Sequence, residues 1–182
     1  MLCRWMFEKY DGVRGFWNPI KKAFYSRKGN ILALPPQVIE AMPTNVFLDG
    51  ELWFGRDNFQ EAMKIVYRKD ESQIDWGKFK YVVYDIPTSK ATYAERYAQL
   101  CIVSTFFLMI QFCDILTGNE LEGKDYKYLL IARYEICKDS NHLERFLQDI
   151  IDNGGEGIIL RDPRTPFESG RSNAYLKHKV EK

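Results

Sequence analysis

The sequence has no CxxC pair. Its four cysteines stand at positions 3, 101, 113 and 137, and its two histidines at 142 and 178. Those spacings exclude the common zinc frameworks, and scattered thiols give no basis for a disulfide scaffold. An N-terminal apolar run is also missing, because Arg4, Glu8, Lys9 and Asp11 interrupt it. No secretory leader is therefore expected, and an intracellular protein of the cytoplasm or nucleus is. The greasiest stretch, Leu100 to Ile110, is too short to cross a bilayer, so no membrane partner is expected. Net charge is nearly absent as well. Against 26 Lys and Arg stand 25 Asp and Glu, a formal +1, without the excess typical of a dedicated nucleic-acid binder.

What is present is enough for a core. Of 182 residues, 46% are hydrophobic and 28% charged, which suits one domain with a solvated surface. Aromatics reach 15%. They serve cores, strands and base-stacking surfaces alike, so the excess alone assigns nothing. Basic charge gathers locally. Lys21 to Lys28 holds four cations and no acid, and Arg171 to Lys182 is rich in Lys and Arg against one acid. Local basic surfaces are thus compatible with a near-neutral whole.

The pattern predicts a mixture of strands and helices without repeats or regular βα alternation. Residues 14–17 and 23–26 read as strands joined across Asn18-Pro19, and Arg27 to Asn30 as a turn in which Gly29 is free to take positive φ. Val46-Phe47-Leu48 reads as a strand leading into Asp49-Gly50-Glu51. Asn58 with Glu61 offers a capping box for a helix carrying Phe59, Ala62, Met63 and Val66. Residues 79–85 form a strand stopped by Pro87, and 91–110 a helix. Tyr128 to Ile136 reads as one further strand. Asn141 with Glu144 suggests a second capping box, for a helix closed by Asn153-Gly154-Gly155. Gly157 to Arg161 and Tyr175 to Lys179 complete the strands, separated by a loop marked by Pro163, Pro166 and Gly170. The fold class expected is α+β with antiparallel sheets favoured.

Four short stretches carry chemistry. In EKYDGVRGFW, residues 8–17, Lys9, Asp11 and Arg14 fall within six residues around Gly12. An isolated lysine is usually a surface residue. A bend at Asp11-Gly12 would present this one inward, where nearby cations and burial lower the cost of losing its proton. In FLDGELWFGR, residues 47–56, Glu51 follows a glycine at an expected strand end, suited to a ribose hydroxyl or a hydrated metal. A plain acidic hairpin turn is the other reading. In GGEGIILRDP, residues 154–163, Glu156 stands between glycines just ahead of an apolar strand. In YLKHKVEK, residues 175–182, Lys177 and Lys179 alternate and share a strand face, a pairing suited to polyphosphate. A nucleophile, two carboxylates and cationic clamps together equip a site for nucleotidyl transfer.

With those residues in hand, the chain resembles the covalent nucleotidyltransferases: ATP-dependent DNA ligases, RNA ligases and mRNA capping enzymes. Their KxDGxR motif is met by Lys9, Asp11, Gly12 and Arg14. SRKGN at 26–30, DGE at 49–51, VVYDIP at 82–87, EGIILR at 156–161 and Lys177-x-Lys179 follow in the family's order. The nearest likeness is to small bacterial accessory DNA ligases, through LDGELWFGR and FESGRSNAYLKHK as well. The resemblance covers nearly the whole chain. It implies an ATP-grasp-like nucleotidyltransferase domain spanning residues 1–182, working as a monomer on nicked double-stranded DNA with ATP and Mg²⁺, for which Mn²⁺ substitutes.

The resemblance also implies roles. Lys9 attacks the α-phosphate of ATP and holds AMP, with Asp11 in the same motif. Arg14 contacts ribose and the nick end, and Arg27 touches phosphate. Glu51 binds on the ribose or metal side, and Glu156 helps place the divalent ion. Tyr84 stacks on adenine, a core position being its other reading. Lys177 and Lys179 pull on the α-phosphate, with Lys177 nearer the departing pyrophosphate. His178 replaces a small apolar residue and is expected to point away. Relatives continue into an OB-fold domain. This chain stops soon after Lys179, which leaves three expectations: a fragment of a longer protein, a naturally minimal protein, or an OB-fold domain or clamp partner on another chain. The alternatives are an RNA ligase with the same chemistry, a GTP-using capping enzyme, which the GRSNAYLKHK loop disfavours, and a non-catalytic nucleic-acid-binding relic, which the complete motif set disfavours.

Overall fold

A computed structural model describes residues 4–67, 71–102 and 126–179, except 169 and 171. Among the described residues ten strands form two sheets. The first orders β10 (Tyr175–Lys179), β9 (Gly157–Arg161), β1 (Trp5–Glu8) and β8 (Tyr134–Ile136), all antiparallel. The second orders β4 (Ile31–Leu32), β3 (Ala23–Ser26), β2 (Val13–Asn18), β5 (Leu48–Trp53), β6 (Lys80–Asp85) and β7 (Leu129–Ile131). Its pairs are antiparallel except β6 with β7, which run parallel. Helices α1 (Pro36–Glu40), α2 (Phe59–Val66), α3 (described over 93–102) and α4 (Ser140–Asp152) complete the α+β fold.

The chain crosses between sheets twice where it matters for the site. The link after β1 carries Lys9 to Gly12 and delivers the chain to β2 in the other sheet. The step from β7 to β8 returns it. That step corrects the single strand expected over Tyr128 to Ile136. Ala132 turns its N–H to the Val83 carbonyl (2.8 Å) and accepts from the Tyr97 hydroxyl (2.6 Å), breaking the run into strands of different sheets. Gly12 fits its link for a steric reason. A Cβ there would collide with the Leu52 carbonyl oxygen and lie 2.9 Å from Glu51 Cγ, so the motif glycine lets the lysine loop lie against β5.

The aromatic excess goes largely into the core. Trp17, Phe24, Phe54, Phe79, Tyr81 and Tyr93 are all but fully buried. Their polar tips are satisfied: Trp17 donates to the Pro43 carbonyl (2.7 Å), Tyr81 to Gly15 (2.9 Å) and Tyr93 to Tyr84 (3.0 Å). Each such side chain contributes about 1.5–3 kcal/mol of apolar burial without leaving an orphaned hydroxyl or indole.

Local differences from the sequence reading have local causes. Strand β5 begins at Leu48, and Asp49-Gly50-Glu51 lies inside it rather than at its end. Asn58 does precede α2, but its amide turns back to the Arg56 carbonyl (2.9 Å) and gives no side-chain cap, while Glu61 pairs with Lys64 (2.6 Å). Helix α4 starts earlier than Asn141 implies, because extended Asp139 caps it by accepting from the His142 N–H (2.7 Å). The capping box that does form is Thr92 with Glu95, ahead of α3. Strands β1 and β4 and the short α1 carried no sequence expectation. The 103–110 part of the expected helix lies outside the described residues. Gly29 takes φ +81° and Gly154, after α4, φ +81°, as the turns there require.

Candidate active site

The two sheets enclose a cavity of about 730 Å³. From the first sheet come Phe7, Ile159, Arg161, Tyr175 and Lys177, and from the second Arg14, Glu51 and Tyr84. Lys9, Tyr10 and Arg27 close it from the connecting loops. Of the residues singled out in the sequence, Lys9, Arg14, Arg27, Glu51, Tyr84 and Lys177 thus meet in one space.

Lys9 sits at a boundary. It lines this cavity and also a small cleft behind it, shared with Asp11, Glu156, Glu8 and Arg56. Its backbone N–H is fixed to the Gly157 carbonyl (2.9 Å), and its ammonium pairs with the Glu156 carboxylate. Asp11 and Glu156 therefore flank Lys9 from the cleft side. Lys179, two residues along β10 from Lys177, is exposed and does not line the cavity. His178 lies between them on the opposite face of the strand, also exposed.

Register explains the second sheet's contribution. Arg14 on β2 stands opposite Glu51 on β5. Asp49, two residues back on the same face, takes the guanidinium of Arg14 at 2.9 and 2.6 Å. Burial works against the Arg14 charge, but the hydrogen bonds and charge of Asp49 outweigh it and hold its pKa above the ordinary value. Tyr84 falls at an irregularity in the β5–β6 register, where Asp49 opposes Asp85 and Gly50 already opposes Val83. The extra residue turns this tyrosine toward the cavity. Burial, reinforced by Asp49 and Glu51, raises its phenol well above the usual range, so the ring is neutral. Burial also lowers the Lys177 ammonium, helped by the cations Lys9, Arg14 and Arg27.

Sequence reading missed several contributors. Asp49 was visible in the DGE stretch, and its alternation with Glu51 was the available signal. Arg161 was visible as the last residue of EGIILR, yet nothing local shows its setting. Its guanidinium lies 3.7 Å from the centre of the Tyr93 ring and 5.2 Å from that of Tyr175, and it bonds Asp85 at 2.7 Å. Among the described residues no group of three or more His, Cys, Asp or Glu forms a metal-holding cluster.

Glu51 gives a testable electrostatic signature. Burial lifts its carboxyl from 4.5 to about 8, with Lys9 opposing the shift and Asp49 adding to it. The folded protein then keeps a proton that the unfolded chain has released between these two pH values. Stability should fall as pH rises from about 4.5 through 8. Glu51→Gln should flatten that part of the curve. Melting temperatures across this range, for both proteins without nucleotide, check it; parallel curves would refute the shift.

A cavity between two sheets, lined by a loop lysine, the half-buried carboxyl groups of Glu8 and Glu51 and the cations Arg161 and Lys177, has the makings of a nucleotidyltransferase-like site. The chain belongs to the ATP dependent DNA ligase domain family, whose sequence model matches residues 4–179. It is 33% identical over 175 residues to a DNA ligase of Haemophilus influenzae, covering 96% of this chain and 57% of that protein. To a DNA ligase of Methanosphaera stadtmanae it is 25% identical over 191 residues, covering 94% of this chain and 31% of that protein. The chain thus spans well under two thirds of the length of either curated relative. Its fold is shared with a Lig E DNA ligase structure (TM-score 0.74, 24% identity, 97% of this chain and 62% of that one). It is shared also with the Chlorella virus DNA ligase-adenylate (TM-score 0.73, 18% identity, 98% and 63%).

Proposed function

We propose that this chain performs ATP-dependent adenylyl transfer through Lys9 and joins 5′-phosphate and 3′-hydroxyl ends at nicks in double-stranded DNA. The observation that carries the reading is the position of Lys9, in the lining of a cavity that also gathers Arg14, Arg27, Glu51, Tyr84 and Lys177. In the first step the neutral Lys9 amine attacks the α-phosphorus of ATP. A P–N bond forms, the P–O bond to pyrophosphate breaks, and the amine's surplus proton leaves to solvent. The AMP then passes to the 5′-phosphate at the nick, and the 3′-hydroxyl displaces it.

The residues divide this work by position. Lys9 must first leave Glu156, with which its ammonium is paired. Its departure exposes a carboxylate beside the reacting phosphate. Lys177 and Arg27 face the cavity as counter-charges for phosphate oxygens. Tyr84 offers a neutral ring for the adenine base. Asp49 locks the Arg14 guanidinium, so that it reaches ribose from a fixed base. Asp11 sits in the cleft, where it borders Lys9 without entering the main cavity.

The donor set suits Mg²⁺ or Mn²⁺ supplied with nucleotide. Two carboxylates, Glu51 and Glu156, border Lys9 from its two sides. Such an ion normally takes one or two carboxylates plus phosphate oxygens rather than a full protein cage. It would supply charge neutralisation at the phosphates, and its presence would draw the Glu51 carboxyl down from its raised value. A separate OB-fold domain or clamp partner would add contacts to the DNA.

Incubation with α-labelled ATP and, separately, α-labelled GTP tests the chemistry, and nicked DNA and nicked RNA duplexes test the acceptor. Covalent label from ATP alone and sealing of DNA are expected. Label from GTP would indicate a capping-type enzyme, sealing of RNA alone an RNA ligase, and no label with either nucleotide a binding protein.

A further inference from the structure

Three segments meet behind Lys9. The first is Glu8, the last residue of β1 and the neighbour of Lys9, which borders both the main cavity and the cleft behind it. The second is the turn Gly55-Arg56-Asp57 between β5 and α2. The third is the turn Asn153-Gly154-Gly155 between α4 and β9, which leads directly into Glu156. The Arg56 guanidinium joins all three. It grips the Glu8 carboxylate with two bonds of 2.8 and 2.9 Å, and its remaining arm donates to the Asn153 carbonyl at 3.1 Å.

The packing around this contact leaves little slack. Gly155 comes so close that a Cβ there would collide with Ile150 and lie 3.4 Å from Glu8 Oε1. A Cβ on Gly154 would lie 2.9 Å from the Asp57 carboxylate. Asp57 itself takes φ +58°, a backbone state that non-glycine residues adopt rarely and that its surroundings must hold in place. On the other side of Lys9, the Tyr10 ring packs edge-on to Trp53 at 5.2 Å. Both chain neighbours of Lys9 are thus anchored to the end of β5 or the turn that follows it.

We propose that Arg56 is a positioning residue for adenylyl transfer, setting the Lys9 loop against the Glu156 loop through its fork on Glu8 and its bond to Asn153. This rests on Lys9 being the nucleophile. The physical need is clear. Lys9 must exchange Glu156 for a phosphate while its backbone stays still, and the two loops share no covalent link shorter than the whole chain between them. A bidentate guanidinium–carboxylate fork fixes angle as well as distance, which a lysine cannot do. A misplacement near 1 Å at a nucleophile lowers rate by about 100-fold.

The test compares single-turnover adenylation by the parent, Arg56→Met, Arg56→Lys, Glu8→Gln and the Glu8→Gln/Arg56→Met double variant. Rates are divided by the folded fraction from near-UV circular dichroism. Arg56→Met should lose about 10- to 100-fold in rate at saturating ATP, with the KM for ATP within about threefold, since Arg56 does not itself line the cavity. Arg56→Lys should recover part of the rate. The double variant should be no slower than the worse single one, because both changes remove one contact. Four results would overturn the proposal: parental rates in Arg56→Met, a loss matched by unfolding, a loss confined to KM, or multiplying losses in the double variant. If the parent forms no Lys9 adduct, the nucleophile assignment fails first. If it does and the variants match it, only the role of Arg56 fails.

Discussion

Lys9→Ala should abolish covalent labelling by ATP, a loss of several orders of magnitude of the kind seen when a nucleophile is deleted. The fold should survive. Lys9 and Glu156 are each about a fifth exposed, at 19% and 21%, so water can reach the Glu156 carboxylate once its partner is removed. Lys9→Arg sharpens the test. It can keep an ion pair with Glu156, yet its guanidinium does not deprotonate near neutral pH and so cannot attack phosphorus. Both variants should melt close to the parent and carry no label on a denaturing gel. Label retained by Lys9→Ala would move the nucleophile to another residue and remove the basis of the mechanism.

The largest effect on stability is expected at Asp85. Its carboxylate is 1% exposed and accepts from Arg96 at 2.6 and 3.1 Å and from Arg161 at 2.7 Å. Arg96 is itself 1% exposed and also donates to the Ala91 carbonyl (2.6 Å). Asp85→Ala would leave two guanidinium groups in the interior without their counter-charge. Breaking such a buried pair destabilises by about 3–5 kcal/mol, or on the order of 10 °C in melting temperature for a domain of this size. Asp85→Leu combined with Arg96→Met should lose less than Asp85→Ala alone, because the fully buried guanidinium goes with its partner and only Arg161, which borders the cavity, is left without it. Thermal and urea denaturation of the three proteins would measure this. A shift for Asp85→Ala no larger than that of an ordinary surface substitution would show that solvent reaches the network.

The sequence was most legible where chemistry and spacing coincide in a short stretch. Lys9, Arg14, Glu51 and Lys177 could be singled out because each lies in a compact motif, and the structure brings them to one cavity. The α+β class was legible from mixed periodicity. What escaped depends on partners distant in sequence. Arg56 looks like a turn residue until Glu8 and Asn153 arrive from 48 and 97 positions away. The break at Ala132 depends on Val83 and on the Tyr97 hydroxyl. The misplaced helix caps show the same limit on a smaller scale. Asn58 and Asn141 have suitable side chains, but a neighbouring carbonyl claims the first and the extended backbone of Asp139 pre-empts the second. Residue type proposes a cap, and the local path of the chain decides it.

The connection between the sheets has a consequence for how this domain tolerates change. Lys9 lies on the span that leaves β1 in one sheet and enters β2 in the other, so its coordinates are the joint outcome of two separately hydrogen-bonded bodies. A substitution that shifts either sheet alone moves one anchor of the span and not the other. Matched shifts in both would leave the lysine where it was. Sequence drift in such a domain should therefore proceed by compensating pairs. A change behind Ile159 or Tyr175 on one sheet would be tolerated in some backgrounds of Leu52 or Val82 on the other and rejected in the rest. A paired mutational scan should find its strongest non-additivity across the cavity rather than along either sheet.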